Sequence, residues 1–213
     1  MYSLLQSKTT IRIVDVPGHT RLRDQFQNHI TNAKAVAFVV DANSISRNGA
    51  AVAELVNFTS SSSDHFVDEF WFRHLHHVLH AMTSLPPSQS PPLLILAHKV
   101  DLLRSLSSTP DNAPKLAVNR VKTILERELE KRRISQSNSV GIEGLGEEGV
   151  GTELGGLDCS GSTGNVFKFD DWEGGNVKFF ATSLQIQASA SEKREDGLAP
   201  FKDWLDDFCN STR

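Results

Sequence analysis

The chain has 213 residues, 38% of them hydrophobic and 23% charged, with a formal net charge of -4. That length suits one domain, or one domain with long insertions, and the mild acidity excludes the basic face that direct nucleic-acid binding requires. Two cysteines, Cys159 and Cys209, are too few for a disulfide framework, and without a secretory leader a reducing compartment is expected. No apolar run reaches the roughly 18 residues of a spanning helix, so the chain as written is expected to be soluble.

In chain order, Thr10 to Val14 alternates before a Pro-Gly break and predicts a strand with one face buried. Leu22 to Thr31 is polar with scattered apolar residues, an exposed helix. Ala35 to Val40 is continuously apolar and ends at Asp41, the pattern of a strand buried on both faces. Phe66 to Met82 places Val67, Trp71, Leu75, Val78 and Met82 at steps of three or four, one helical stripe. His74, His76, His77 and His80 lie on that helix, and with no Glu, Asp or Cys at ligand spacing they predict an exposed polar face rather than a metal site.

Leu93 to Ala97 follows Pro91-Pro92 and ends at His98, a second doubly buried strand. Ala113 to Ile134 carries Leu116, Val121, Ile124 and Leu125, then the charged run from Glu126 to Arg133, expected to be a solvated helix end. Val177 to Ala181, after Gly174-Gly175, predicts a last strand, and Leu198, Phe201, Trp204, Leu205 and Phe208 a last helix docked on the sheet. Strands alternating with helices imply crossovers and a mostly parallel sheet in a three-layer α/β fold. Two stretches fit that layer poorly, 56–66 and 135–165; the second, rich in Gly, Ser and Glu, is expected to be a disordered surface insertion.

Four polar groups close these strands. Asp15-Val16-Pro17-Gly18-His19 follows the first, Asp41 the second, His98-Lys99-Val100-Asp101 the third and Thr182-Ser183 the fourth. Open parallel sheets bind ligands outside the carboxyl ends of their strands, so all four stand where a ligand would. D-x-x-G alone is a weak signal; the order and spacing of the series are the stronger one. The series resembles that of GTP-binding switch proteins. By that resemblance Asp15 holds a magnesium ion through water, Gly18 offers its backbone N–H to the γ-phosphate, and His19 orients the attacking water. Asp101 accepts from guanine, the Lys99 stem covers the base, and Ser183 supports it. His98 stands where such proteins carry Asn, and an imidazole lacks the two-ended hydrogen bonding of an amide.

Closer detail resembles the signal recognition particle receptor beta subunits. Ile11 to Asn43 looks like their second switch region and following strand, with Pro17-Gly18-His19, Arg21-Leu22-Arg23, Phe26 and Ala33-Lys34-Ala35 in agreement. LLILAHKVDLL, the FKF and VKFFATS segments and the closing Phe201-Lys202-Asp203-Trp204-Leu205 agree as well. The resemblance implies a subunit that binds GTP and magnesium, with binding favoured over turnover. It would anchor the receptor alpha subunit at the cytoplasmic face of the endoplasmic reticulum membrane. No G-x-x-x-x-G-K-[ST] loop occurs; Gly156 to Thr163 comes nearest but lacks the lysine and a preceding strand. Only about ten residues precede Ile11, so the first strand, phosphate loop and membrane span of that family are expected to be missing, and the whole chain, 1–213, to be a partial G domain. Two other readings are an Arf/Sar-like traffic GTPase, which typically has a second Gly where this chain has Pro17, and a degenerate G-domain scaffold that binds no nucleotide.

Overall fold

The computed structural model describes the backbone of residues 11–17, 19, 21–46, 64–106, 113–139, 157, 166–184 and 197–211. Most of the two predicted insertions, Cys159 and Gly18 lie outside the described residues.

Leu93–His98 (β2) is the centre of the sheet. Its side chains from Leu93 to Ala97 are at most 8% exposed, as expected for a strand buried on both faces. Val36–Asp41 (β1) pairs with one edge and Val177–Thr182 (β3) with the other, both parallel, in the order β1-β2-β3. The mostly parallel α/β expectation therefore holds.

Register partners in a parallel sheet share a face. One face carries the rows Val36-Leu93-Val177, Phe38-Ile95-Phe179 and Val40-Ala97-Ala181. It packs against Asp64–Thr83 (α2) and Ala113–Ser139 (α3), which bury Leu75, Val78, Leu79 and Met82 from one helix and Val121, Leu125 and Leu129 from the other. The opposite face carries Val39, Leu96 and Phe180, with Ala199–Ser211 (α4) set over β3 through ring contacts of Phe180 with Phe201 and Trp204. The last helix thus docks on the sheet as its stripe predicts, although none of its residues is fully buried.

Several expectations need correction. β1 is buried on one face only: Phe38 and Val40 are inside, while Val39 is 50% exposed. It is an edge strand whose second face no described helix covers. Residues 11–17 form no strand, and Ile13 and Val14 are exposed. A strand needs a ladder partner for its N–H and C=O groups, and the three-stranded sheet offers this segment none among the described residues. The polar stretch after it is helical, as expected, but as a 3-10 turn at Arg23–Phe26 running into one short α-helical turn, Gln27–Ile30 (α1). His74 and His76 are buried rather than exposed, His74 against the rings of Phe26 and Phe38. Leu116 is 55% exposed, outside the stripe assigned to it, and α3 runs to Ser139, five residues past its predicted end at Ile134 and into the predicted insertion.

The charged end of α3 is not simply solvated. Glu126 and Glu130 accept backbone N–H groups from the extended segment at 166–172: Phe167 N–H donates to Glu130 Oε2 at 2.8 Å, and Phe169 N–H to Glu126 Oε1 at 3.2 Å. Four helical residues rise about 6 Å and two extended residues about 6.7 Å, so carboxylates one turn apart match alternate N–H groups. The same alternation sends Phe167 and Phe169 inward, where Phe169 meets Phe179 of β3 edge to face at 5.3 Å. The segment then turns at Trp172 into Gly175, whose φ of 138° favours glycine and whose absent Cβ makes room for Ser90.

The Arg133 guanidinium, bonded through two nitrogens at 2.8 Å each, holds the Glu130 carboxyl below its ordinary 4.5; partial burial opposes this, and the Phe167 N–H and the Arg133 charge add to it. A depressed folded value means that the stabilisation is complete above about pH 4.5 and is lost as pH falls through the folded value. The urea midpoint is therefore expected to decline below that pH. Glu130→Gln should flatten this part of the profile while costing on the order of 1 kcal/mol at neutral pH, the solvent-screened worth of such a pair. Chemical denaturation across pH for the two proteins checks it.

Candidate functional site at the strand ends

Parallel strands in register end together. Asp41, His98 and Thr182 are mutual register partners at the carboxyl ends of β1, β2 and β3, so a row of polar side chains closes the apolar sheet. His98 Nδ1 lies 3.1 Å from Thr182 Oγ1, which also faces the Ala97 carbonyl at 3.5 Å. This contact ties the β2 and β3 ends across the sheet. It occupies the imidazole at the position where a GTP-binding loop carries Asn.

The chain leaves β2 through Lys99, the one non-glycine residue with positive φ (62°) among the described residues. Left-handed backbone costs a side-chain-bearing residue about 1–2 kcal/mol, so something local must hold it. Lys99 O accepts the Leu102 N–H at 3.2 Å, closing a turn into the 3-10 helix Val100–Leu106, with Asp101 in its first turn. The Lys99 ammonium reaches Asp41 Oδ2 at 2.6 Å. Asp41 Oδ1 in turn accepts the N–H groups of Asn43 and Ser44, each at 3.0 Å, capping the helical turn at 42–46.

Partial burial alone would raise the Asp41 carboxyl. The Lys99 hydrogen bond, the Ser44 N–H, the Lys99 charge and the Asn43 N–H together hold it below its ordinary 3.8. Asp41 in turn raises Lys99 above 10.5, by hydrogen bond and by charge, and Asp101 adds to this. Both groups are thus charged across the neutral range.

After β3, Ser183 is buried and donates its N–H to Gly197 O at 3.2 Å; a Cβ on Gly197 would lie 2.2 Å from Ser183 Oγ. That close approach seats the segment entering α4 against the site.

The structure therefore brings together His98, Lys99, Asp101 and Ser183, and with them Asp41 and Thr182, which the sequence set at the strand ends without assigning either a contact. Asp15 and His19 are exposed in the stretch before the first helical turn. His19 Nδ1 accepts the Arg21 N–H at 3.3 Å and His19 O the Leu22 N–H at 2.9 Å, a local turn. Among the described residues neither Asp15 nor His19 bonds to the strand-end row, and Gly18 is not described.

Asp101 is partly exposed in the turn that follows Lys99, and its carboxylate can accept N–H donors. For magnesium, no group of three or more His, Cys, Asp or Glu among the described residues could hold an ion. No helix among them is long and apolar enough to cross a membrane.

Residues 2–68 match the family model for the signal recognition particle receptor beta subunit. No curated protein sequence matches. Among solved structures, the receptor SRb bound to GDP and Mg from Chaetomium thermophilum aligns with a TM-score of 0.53 and 19% identity, covering 91% of this chain and 78% of that one. The SRb-GTP/SRX complex from the same organism aligns with a TM-score of 0.50 and 18% identity, covering 91% and 65%. The matched segment and the shared fold together liken this chain to the beta subunit of the signal recognition particle receptor.

Proposed function

We propose that the chain is a guanine-nucleotide-binding subunit of a signal recognition particle receptor, presenting its nucleotide-bound switch segment to the receptor alpha subunit at the endoplasmic reticulum membrane. The observation that carries this is the alignment of Asp41, His98-Lys99-x-Asp101 and Thr182-Ser183 at one end of three in-register strands. Asp101 would accept from the base, Lys99 would cover it and Ser183 would back it. Asp15, Gly18 and His19 would serve the phosphate end, where magnesium enters with the nucleotide. A similar protein described as an SRb-GTP/SRX complex supports both the nucleotide and the partner.

Titration of the full-length protein with fluorescent GDP, GTP and ADP tests the reading. Guanine nucleotides should bind at micromolar concentration or tighter and ADP at least about a hundredfold more weakly, since adenine lacks the donors that Asp101 pairs with and would leave a carboxylate unmatched. Equal affinity for guanine and adenine nucleotides would overturn it. No binding of either, with retained capture of the alpha subunit, would favour the scaffold reading, to which His98 in the Asn position lends its one observation.

A further inference from the structure

We propose that Asp41 is the positioning residue of the base loop: by holding the Lys99 ammonium on the β1 side it keeps the Asp101 carboxylate free to accept from the nucleotide base. The proposal rests on the nucleotide reading above and adds to it a residue outside the His98–Asp101 motif.

Asp41 reaches Lys99 because it pairs in register with His98, which puts its carboxylate beside the first residue after β2. Its two oxygens have separate tasks. Oδ1 is held by the Asn43 and Ser44 N–H groups, which fix the side chain; Oδ2 then points at Lys99 Nζ from a rigid mount, 2.6 Å away. Lys99 is the hinge of the loop. Its left-handed backbone, with its carbonyl bonded to Leu102 N–H, sets where the first turn of the Val100–Leu106 helix places Asp101.

Two carboxylates, Asp41 and Asp101, act on that ammonium. With Asp41 neutralised, Asp101 is the acid left to attract it. A Lys99–Asp101 pair would engage the oxygens that a base must reach and pull the stem off the base face. Asp41 thus acts on specificity through Lys99 and need not touch the ligand.

The test is a double-mutant cycle in the full-length protein, read by fluorescent-GDP affinity, with wild type and Asp101→Asn as references. Asp41→Asn keeps an oxygen for the Asn43 and Ser44 N–H groups and removes the charge, so the cap survives. It should weaken GDP binding on the order of tenfold, about what partial loss of one charge-assisted hydrogen bond costs. In a Lys99→Met background the same change should cost less than about twofold, because no ammonium remains to migrate. Asp41→Glu should recover part of the loss.

A purely structural Asp41 would give the same loss in both backgrounds, and that result overturns the proposal. So does Asp41→Asn binding GDP like wild type. If the wild type itself binds no guanine nucleotide, the nucleotide reading falls and the role of Asp41 with it. If the wild type binds and Asp101→Asn does not, the reading stands and the cycle alone decides on Asp41.

Discussion

Phe167→Ala is expected to lower stability by about 3–5 kcal/mol, the range for removing a buried aromatic ring. Phe167 is fully enclosed, lies 5.2 Å edge to face from Phe169, and is linked through Phe169 to Phe179 in the sheet. Its backbone N–H is held by Glu130, so the segment at 166–172 cannot collapse into the space without giving up a charge-assisted hydrogen bond at 2.8 Å. A site that cannot collapse sits at the upper end of the range. Domains of this kind are stable by about 5–15 kcal/mol in all, so the variant should be partly unfolded at moderate temperature. Urea denaturation should show a lower midpoint with an unchanged slope, which marks lost stability rather than an altered unfolded state. Val166→Ala, one residue away but 54% exposed, should change stability by no more than about 0.5 kcal/mol. Equal effects for the two would mean that the alternation is not what fixes this segment.

That segment shows what the sequence does and does not reveal. Its period-two pattern is legible in Val166 to Asp170, yet Glu126 and Glu130 read as part of a solvated run because nothing local says which acids meet backbone N–H groups some 40 positions later. β2 is legible because five apolar residues in succession, opened by Pro91-Pro92, are consistent with a strand covered on both sides. Ala35 to Val40 has the same composition and a different fate, since composition shows what a strand can bury and not what stands beside it. Ile11 to Val14 makes the same point more strongly: alternation without a ladder partner gives no strand. His74 and His76 were misjudged on residue type, although each lies three or four positions from Val78 or Leu79 and so flanks the buried stripe.

At the site, the His98–Asp101 loop was legible as a local motif. The Asp41–Lys99 pair, 58 positions apart, was not, because it exists only once the register of β1 on β2 is known. The row of polar strand ends is thus a product of topology acting on residues that look unremarkable one at a time.

Asp101→Asn is expected to weaken guanine-nucleotide binding by about a hundredfold or more while leaving thermal stability within about 0.5 kcal/mol. The stability part follows from place: Asp101 is partly exposed in the first turn of a short 3-10 helix, and Lys99, on which its charge acts, is already held by Asp41. The affinity part follows from hydrogen-bond sense. A carboxylate offers acceptors on both oxygens; an amide offers one acceptor and one donor, so one of the two adjacent guanine N–H donors would face an N–H. Losing one charge-assisted bond costs about 1.5–3 kcal/mol, and the donor clash adds to it. The same logic predicts a gain for xanthine, which carries a carbonyl where guanine carries its exocyclic amine and so matches the amide. Parallel titrations with fluorescent GDP and the xanthosine diphosphate analogue check both arms. A switch of preference would place Asp101 on the base edge. Equal weakening toward both bases would show that Asp101 supports the loop without reading the ring, and base selection would then have to come from His98 and the backbone around it.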